Sequence, residues 1–234
     1  MIADNIQQLR ERLARACATA GRPVRSVTLL AVSKTFGTDA VREAIEAGER
    51  RFGENYVQEG VDKIAALADV RGLVEWHLIG PLQSNKTRVV AERFDWVHSV
   101  DRLKIAQRLS EQRPARLPPL QLCLQVNISG ELNKSGLRPG EVPAVAKAVA
   151  DLPRLTLRGL MAIPEPAADF AAQRAPHRQL RELFQSLQAG GLALDTLSMG
   201  MSADLEAAVA EGATLVRVGS AIFGARPPVK VAGT

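Results

Sequence analysis

Lys34 closes an apolar run, Ser26-Val27-Thr28-Leu29-Leu30-Ala31-Val32-Ser33-Lys34-Thr35-Phe36-Gly37, that reads as a strand buried on both faces. A lysine where a strand leaves the core is either a solvated side chain or an amine nucleophile. The second role requires that its ammonium, with a pKa near ~10.4 in water, be made reactive by low-dielectric surroundings or a neighbouring cation. Far along the chain, Ser198-Met199-Gly200-Met201-Ser202-Ala203-Asp204 and Gly219-Ser220 each set a glycine and a hydroxyl ahead of a helix. Small residues let the backbone approach an anion and serines donate further hydrogen bonds, which is phosphate-binding chemistry; helix capping alone accounts for either loop taken singly. Arg217 sits inside the otherwise apolar Thr214-Leu215-Val216-Arg217-Val218. It is either paired with an acidic neighbour or faces a ligand beside those loops, donating to a ring nitrogen.

The elements that must bring these residues together alternate. The spacing predicts a helix over 3–20 stopped by Gly21 and Pro23, the Lys34 strand, and a helix from Thr38 or Asp39 to Ala47. Strands at 51–55, 74–79 and 96–100 are followed by helices at 56–68, 85–93 and, capped by Asp101, to Gln112. A strand at 120–127, a polar loop at 128–138 and a helix at 141–151 come next. The last units are a strand at 155–163 with a proline-interrupted helical region through Gln188, a strand at 194–198 with a helix at 203–211, and a strand at 214–218 with a short helix from Ser220. Eight strands alternating with helices, without a linker or a shift in composition, predict an α/β chain: a single (β/α)8 TIM barrel with an extra N-terminal helix, residues 1–234 forming one domain. A doubly wound open sheet is the alternative. In a barrel the strand ends share one mouth, which gathers Lys34, Asn55, Ile79-Gly80, Ser99, Asn127, Met161, residues 198–202 and residues 217–220. The loops after strands seven and eight are where such barrels hold phosphate.

Composition sets the outer limits. Hydrophobic residues at 46% and charged residues at 24% of 234 are those of an ordinary globule, which excludes disordered, collagen-like and coiled-coil classes. The net charge of +5 is spread without like-charge runs, and Tyr56 is the sole tyrosine, so anionic small molecules fit better than nucleic acid. Cys17 and Cys123 stand alone and no apolar leader or membrane-length segment occurs, which predicts a reduced, cytoplasmic, membrane-free protein. Monomer is the expected state. His77 reads as a satisfied core residue, and His98 and His177 lack partners at metal spacing, so no metal is expected.

An imine-forming lysine, a dianion cradle and an arginine in one mouth describe a pyridoxal phosphate site. The stretches Ala31–Thr35, Phe52–Glu59, Trp76–Lys86, Glu131–Gly136, Gly159–Met161, Leu197–Asp204 and Val216–Gly224 together resemble the pyridoxal phosphate homeostasis protein family, whose barrel is similar to the N-terminal domain of alanine racemase. The resemblance runs in order through nearly the whole chain. It implies that Lys34 carries pyridoxal 5'-phosphate as an internal aldimine and that Ser202, Gly219 and Ser220 hold the phosphate. It also implies that Met201 adds its backbone amide, that Arg217 meets the pyridine nitrogen and that Asn55 lies beside the ring. The implied function is to hold and buffer the cofactor in vitamin B6 homeostasis and pass it to pyridoxal phosphate-dependent apoenzymes, without robust catalysis of its own. An arginine at the ring nitrogen leaves that nitrogen without a full charge, a weaker electron sink. A racemase of the related type also needs a second base on the opposite face of the ring, and Tyr56 reads instead as a packing residue at the barrel rim. An amino-acid racemase of the same fold is the alternative. Lys134, in the polar loop, is either solvated or a transient acceptor of the aldehyde.

Overall fold

Eight parallel strands close on themselves in the computed structural model, which describes residues 1–131 and 134–225. Leu132, Asn133 and the last nine positions of the expected domain, 226–234, lie outside the described residues. Strands β1 (Thr28–Val32), β2 (Arg51–Glu54), β3 (Glu75–Leu78), β4 (Trp96–Val100), β5 (Leu120–Gln125), β6 (Leu155–Met161), β7 (Thr196–Ser198) and β8 (Leu215–Val218) pair in chain order, and β8 returns to β1 with Leu30 opposite Arg217. The expected TIM barrel is the fold, and the open sheet is excluded by the β1–β8 pairing.

Helix α1 (Ile2–Thr19) precedes the barrel and buries Ile6, Leu9, Leu13 and Cys17, a stripe at the three-and-four spacing of a single helical face. Helices α2 (Thr38–Glu46), α3 (Val57–Ala66), α4 (Thr87–Arg93), α5 (Leu103–Gln112), α6 (Val142–Ala150), α7 (Phe170–Ala189), α8 (Leu205–Ala210) and α9 (Ser220–Phe223) follow β1 to β8 in turn. Alternation along the strands divides their side chains. Ala31, Phe52, Trp76 and Leu78 join the main core under the helices. Leu30, Val32, Ile79 and Leu215 form a separate cluster inside the barrel.

Two local expectations, both of helix caps, fail. Neither Thr38 nor Asp39 caps α2, whose N-cap is Gly37. Asp101 does not cap α5: its carboxylate accepts from Arg102 Nη1 at 2.7 Å, and Arg102 takes the cap position. After β6 the prolines at 164 and 166 keep the chain irregular until Asp169, which accepts from Ala172 N–H at 2.8 Å and starts α7. One glycine matters for the mouth. A Cβ on Gly80 would stand 2.0 Å from Asn55 O, so only glycine lets the end of β3 approach the end of β2 this closely. No helix among the described residues is long and apolar enough to cross a membrane.

Candidate functional site

A cavity of about 290 Å³ opens at the carboxyl ends of the strands. That is the small end of the roughly 300–1,000 Å³ range typical of ligand pockets. All seven residues singled out in the sequence line it: Lys34, Asn55, Met201, Ser202, Arg217, Gly219 and Ser220. Apolar walls are added by Val32, Ile79, Phe36 and Ile163, of which only Ile79 was among the collected strand ends. Phe36 is braced by a stacked Phe223 at 5.1 Å between centroids. Three other strand-end residues lie elsewhere. Met161 packs with Trp96 and Cys123, Ser99 is buried outside the cavity lining, and Asn127 opens on a different hollow.

The turn that presents Lys34 is clamped on both sides. Ser33 Oγ donates to Glu54 Oε1 at 2.5 Å, and Lys63 Nζ donates to Ser33 O, Glu54 Oε1 and Glu59 Oε1 at 2.7, 2.8 and 2.7 Å. On the other side Thr35 N–H donates to Glu59 Oε1 at 2.6 Å. Thr35 has φ +68°, a left-handed conformation that a β-branched residue adopts only when its surroundings impose it. Burial pushes the Glu54 carboxyl up, against the opposing pull of Lys63 and Ser33. Lys63 carried no signal in the sequence, and Glu59 stood there only as the end of the stretch Phe52–Glu59, with no role attached to it.

Arg217 is buried and its partners are not acids. Nη1 donates to Ser198 O at 2.6 Å and Ser198 Oγ at 2.7 Å, and Nη2 donates to Ala162 O at 2.8 Å. Burial lowers its pKa to about 10, which leaves it cationic at neutral pH. The salt-bridge alternative is therefore excluded among the described residues, and the guanidinium brings positive charge to the cavity wall that only the more distant Asp204 carboxylate offsets in part.

The two glycine-serine turns flank that wall. Gly200 has φ +94°, and a Cβ there would also come 2.5 Å from Ala208 Cβ. The Met201 amide is not open to an anion: it donates to Asp204 Oδ1 at 2.7 Å, while Asp204 Oδ2 meets His177 Nε2 at 2.9 Å. Burial raises the Asp204 carboxyl, but the contacts from His177 and Met201 outweigh it and leave the group below its usual range. A depressed carboxyl gives stability that is complete above its unfolded pKa, near ~4, and is lost as pH falls through its lower folded value. Asp204→Asn should flatten the acid limb of stability by on the order of 1 kcal/mol, read by urea unfolding at neutral pH and below about pH 3. An acid limb as steep as the wild type's would show that Asp204 does not secure this turn.

Other candidates sit apart. Tyr56 is 61% exposed at the start of α3, not packed at the rim as expected. Lys134 pairs with Glu131 and Glu165 beside the hollow that also holds Asn127. His77 is buried and half satisfied: its Nδ1 lies 2.9 Å from His98 Nε2, while its Nε2 has no hydrogen-bond partner among the described residues. Among the described residues no group of three or more His, Cys, Asp or Glu could hold a metal ion.

Comparison with known proteins places this geometry. The family model described as alanine racemase, N-terminal domain, matches residues 3–227. The pyridoxal phosphate homeostasis protein of Pseudomonas aeruginosa is 63% identical over 225 residues, covering 96% of both chains. That of Escherichia coli (strain K12) is 56% identical over 227 residues, covering 96% of this chain and 97% of the other. Among solved structures, PipY of Synechococcus elongatus PCC7942 with PLP bound superposes with a TM-score of 0.83 at 41% identity, covering 96% of this chain and all of that one.

Proposed function

This chain belongs to the alanine racemase N-terminal-domain family and, within it, to the pyridoxal phosphate homeostasis proteins, and from that premise we propose that the cavity at the strand ends takes up pyridoxal 5'-phosphate to hold and release it rather than to transform amino acids with it. The residues present fit the group. Gly219 leaves the wall bare, since a Cβ there would stand 3.1 Å from Val32 O, and the buried Arg217 cation lies on that same wall. When bound, the cofactor supplies an aldehyde that an amine can condense with and a phosphate dianion that hydroxyls and amides can hold.

Lys34 is the amine in this reading, held at the mouth by its clamped turn. Ser202, Ser220 and the Gly219–Ser220 backbone are the phosphate contacts. Met201 contributes its place in the wall, its amide being committed to Asp204. Arg217 donates toward the pyridine nitrogen and Asn55 stands beside the ring.

The observation that carries holding over turnover is the lining itself: among the described residues of the cavity, no Asp, Glu, His, Tyr or Cys accompanies Lys34. Racemisation requires proton donors and acceptors on both faces of the ring, and one lysine serves one face. The loaded protein should therefore restore activity to an apoenzyme that lacks this cofactor, while racemising alanine no faster than free pyridoxal phosphate. Enzymic racemisation by the purified chain would favour the racemase alternative, and failure to restore any apoenzyme would remove the delivery role. The same reading takes the chain as a single unit over 1–234, working as a cytoplasmic monomer with apoenzymes as transient partners.

A further inference from the structure

A file of hydrogen-bonded side chains runs down the inside of the barrel from the floor of the cavity. Arg217 Nη1 donates to Ser198 Oγ at 2.7 Å, Ser198 Oγ lies 2.8 Å from His98 Nδ1, and His98 Nε2 lies 2.9 Å from His77 Nδ1. Beyond His77 Nε2 stands Glu75 Oε2 at 3.6 Å. His77 and Glu75 border a second cavity, about 370 Å³, at the opposite end of the strands.

The chemistry of the Arg217 end gives the file one direction. A guanidinium only donates, so Ser198 Oγ accepts from Arg217 and must place its single proton elsewhere. Its one other partner is His98 Nδ1, which must then be the acceptor. A neutral His98 that accepts at Nδ1 carries its proton on Nε2 and donates it to His77 Nδ1. His77 in turn carries its proton on Nε2, which has no hydrogen-bond partner among the described residues; Glu75 Oε2, 3.6 Å away, attracts it electrostatically without bonding it. Reversing any one bond leaves the buried Ser198 hydroxyl without an acceptor, at a cost the interior does not recover. Glu75, Asp95 and Arg51 bear on His77, and His77 and Arg217 on His98; burial holds both imidazoles on the neutral side.

We propose that Ser198 and His98 are positioning residues for the cofactor: together with His77, and beside the Ser198 and Ala162 carbonyls that hold Nη1 and Nη2, they lock Arg217 into one donor orientation, so that the guanidinium presents a fixed edge to the ring nitrogen. The inference rests on the reading of the upper cavity as the pyridoxal phosphate site. A rotating arginine would serve a dianion as well as a fixed one. The fixed edge is what a ring nitrogen with one lone pair in a defined plane requires.

Two measurements test it. In the native chain, nitrogen-15 imidazole spectra at neutral pH should show both His77 and His98 as neutral Nε2–H tautomers; His98 carrying its proton on Nδ1 overturns the direction of the file. In variants, Ser198→Ala and His98→Leu should weaken pyridoxal phosphate retention by about tenfold and displace the pH midpoint of its visible band in the same sense. Ser198→Thr, which keeps the hydroxyl, should restore both. Variants that lower the thermal midpoint but leave the band and affinity where they were would reduce the file to a packing feature. Should the wild-type chain acquire no visible band, the cofactor reading itself fails, an outcome separate from either result on the file.

Discussion

Lys34→Ala is expected to abolish the visible band that pyridoxal phosphate gives with the wild-type chain, and with it the adduct that borohydride fixes to the protein. The reason is specific to this position. Of the described residues lining the cavity at the strand ends, Lys34 is the only one with a primary amine. The other amine close by, Lys63, is spent on Ser33 O and two carboxylates behind the wall. Non-covalent binding should survive, because Ser202, Ser220, the Gly219 backbone and Arg217 do not depend on Lys34. We expect affinity to fall by on the order of a hundredfold, about 2.7 kcal/mol, with the residue retained through charge-assisted contacts. Ser202→Ala or Ser220→Ala should give the opposite pattern, a band of normal position at about tenfold weaker affinity, since each deletes one hydrogen bond to an anion. Peptide mapping after borohydride reduction checks the assignment. A fixed adduct that persists in Lys34→Ala, or that maps to Lys134 in the wild type, would move the anchor elsewhere.

The barrel and its mouth were legible because the pattern is periodic twice over. Apolar runs bounded by glycine and proline mark the strands, and in a closed parallel barrel strand order becomes position around the axis, so Lys34 on the first strand and Arg217 on the last are neighbours by closure. What periodicity does not carry is which strand ends share a wall. Ser99 near the end of β4 and Asn127 just after β5 belong to strands that contribute nothing to this cavity, yet on paper they stand level with Asn55. Hydrogen bonds across elements were also out of reach. His77 reads as a satisfied core residue and His98 as one without partners at metal spacing; that they meet each other depends on the register of β3 against β4 and on both rings pointing inward. The Met201 amide was assigned to phosphate by resemblance, whereas an aspartate three residues on takes it, a local bond that Asp204 ahead of a helix could have signalled.

Lys63 shows the consequence of such an unreadable contact most sharply, and Lys63→Met should be the most destabilising of the substitutions considered. Its ammonium is nearly buried, Glu54 beside it is fully so, and Glu54 Oε2 has no hydrogen-bond partner among the described residues. Removing the cation therefore strands a buried carboxylate, a loss of about 3–5 kcal/mol when one partner of a buried pair is deleted. The sign with pH follows. Without Lys63 the Glu54 carboxyl, already pushed up by burial, rises further above its unfolded value near ~4.3. The penalty is then complete above the raised folded pKa and shrinks toward acid pH, where the group is protonated in both states. Glu54→Gln in the same chain should recover most of the loss, because a neutral amide needs no counter-charge. The functional effect should exceed the stability effect in one respect. Glu59, relieved of Lys63, can turn to solvent and release the Thr35 amide, and a threonine at φ +68° then relaxes toward ordinary backbone and takes Lys34 with it. Cofactor retention should therefore stay weak even in Lys63→Met/Glu54→Gln, where folding is restored, and recovery of full retention there would show that the clamp stabilises the barrel without placing the amine.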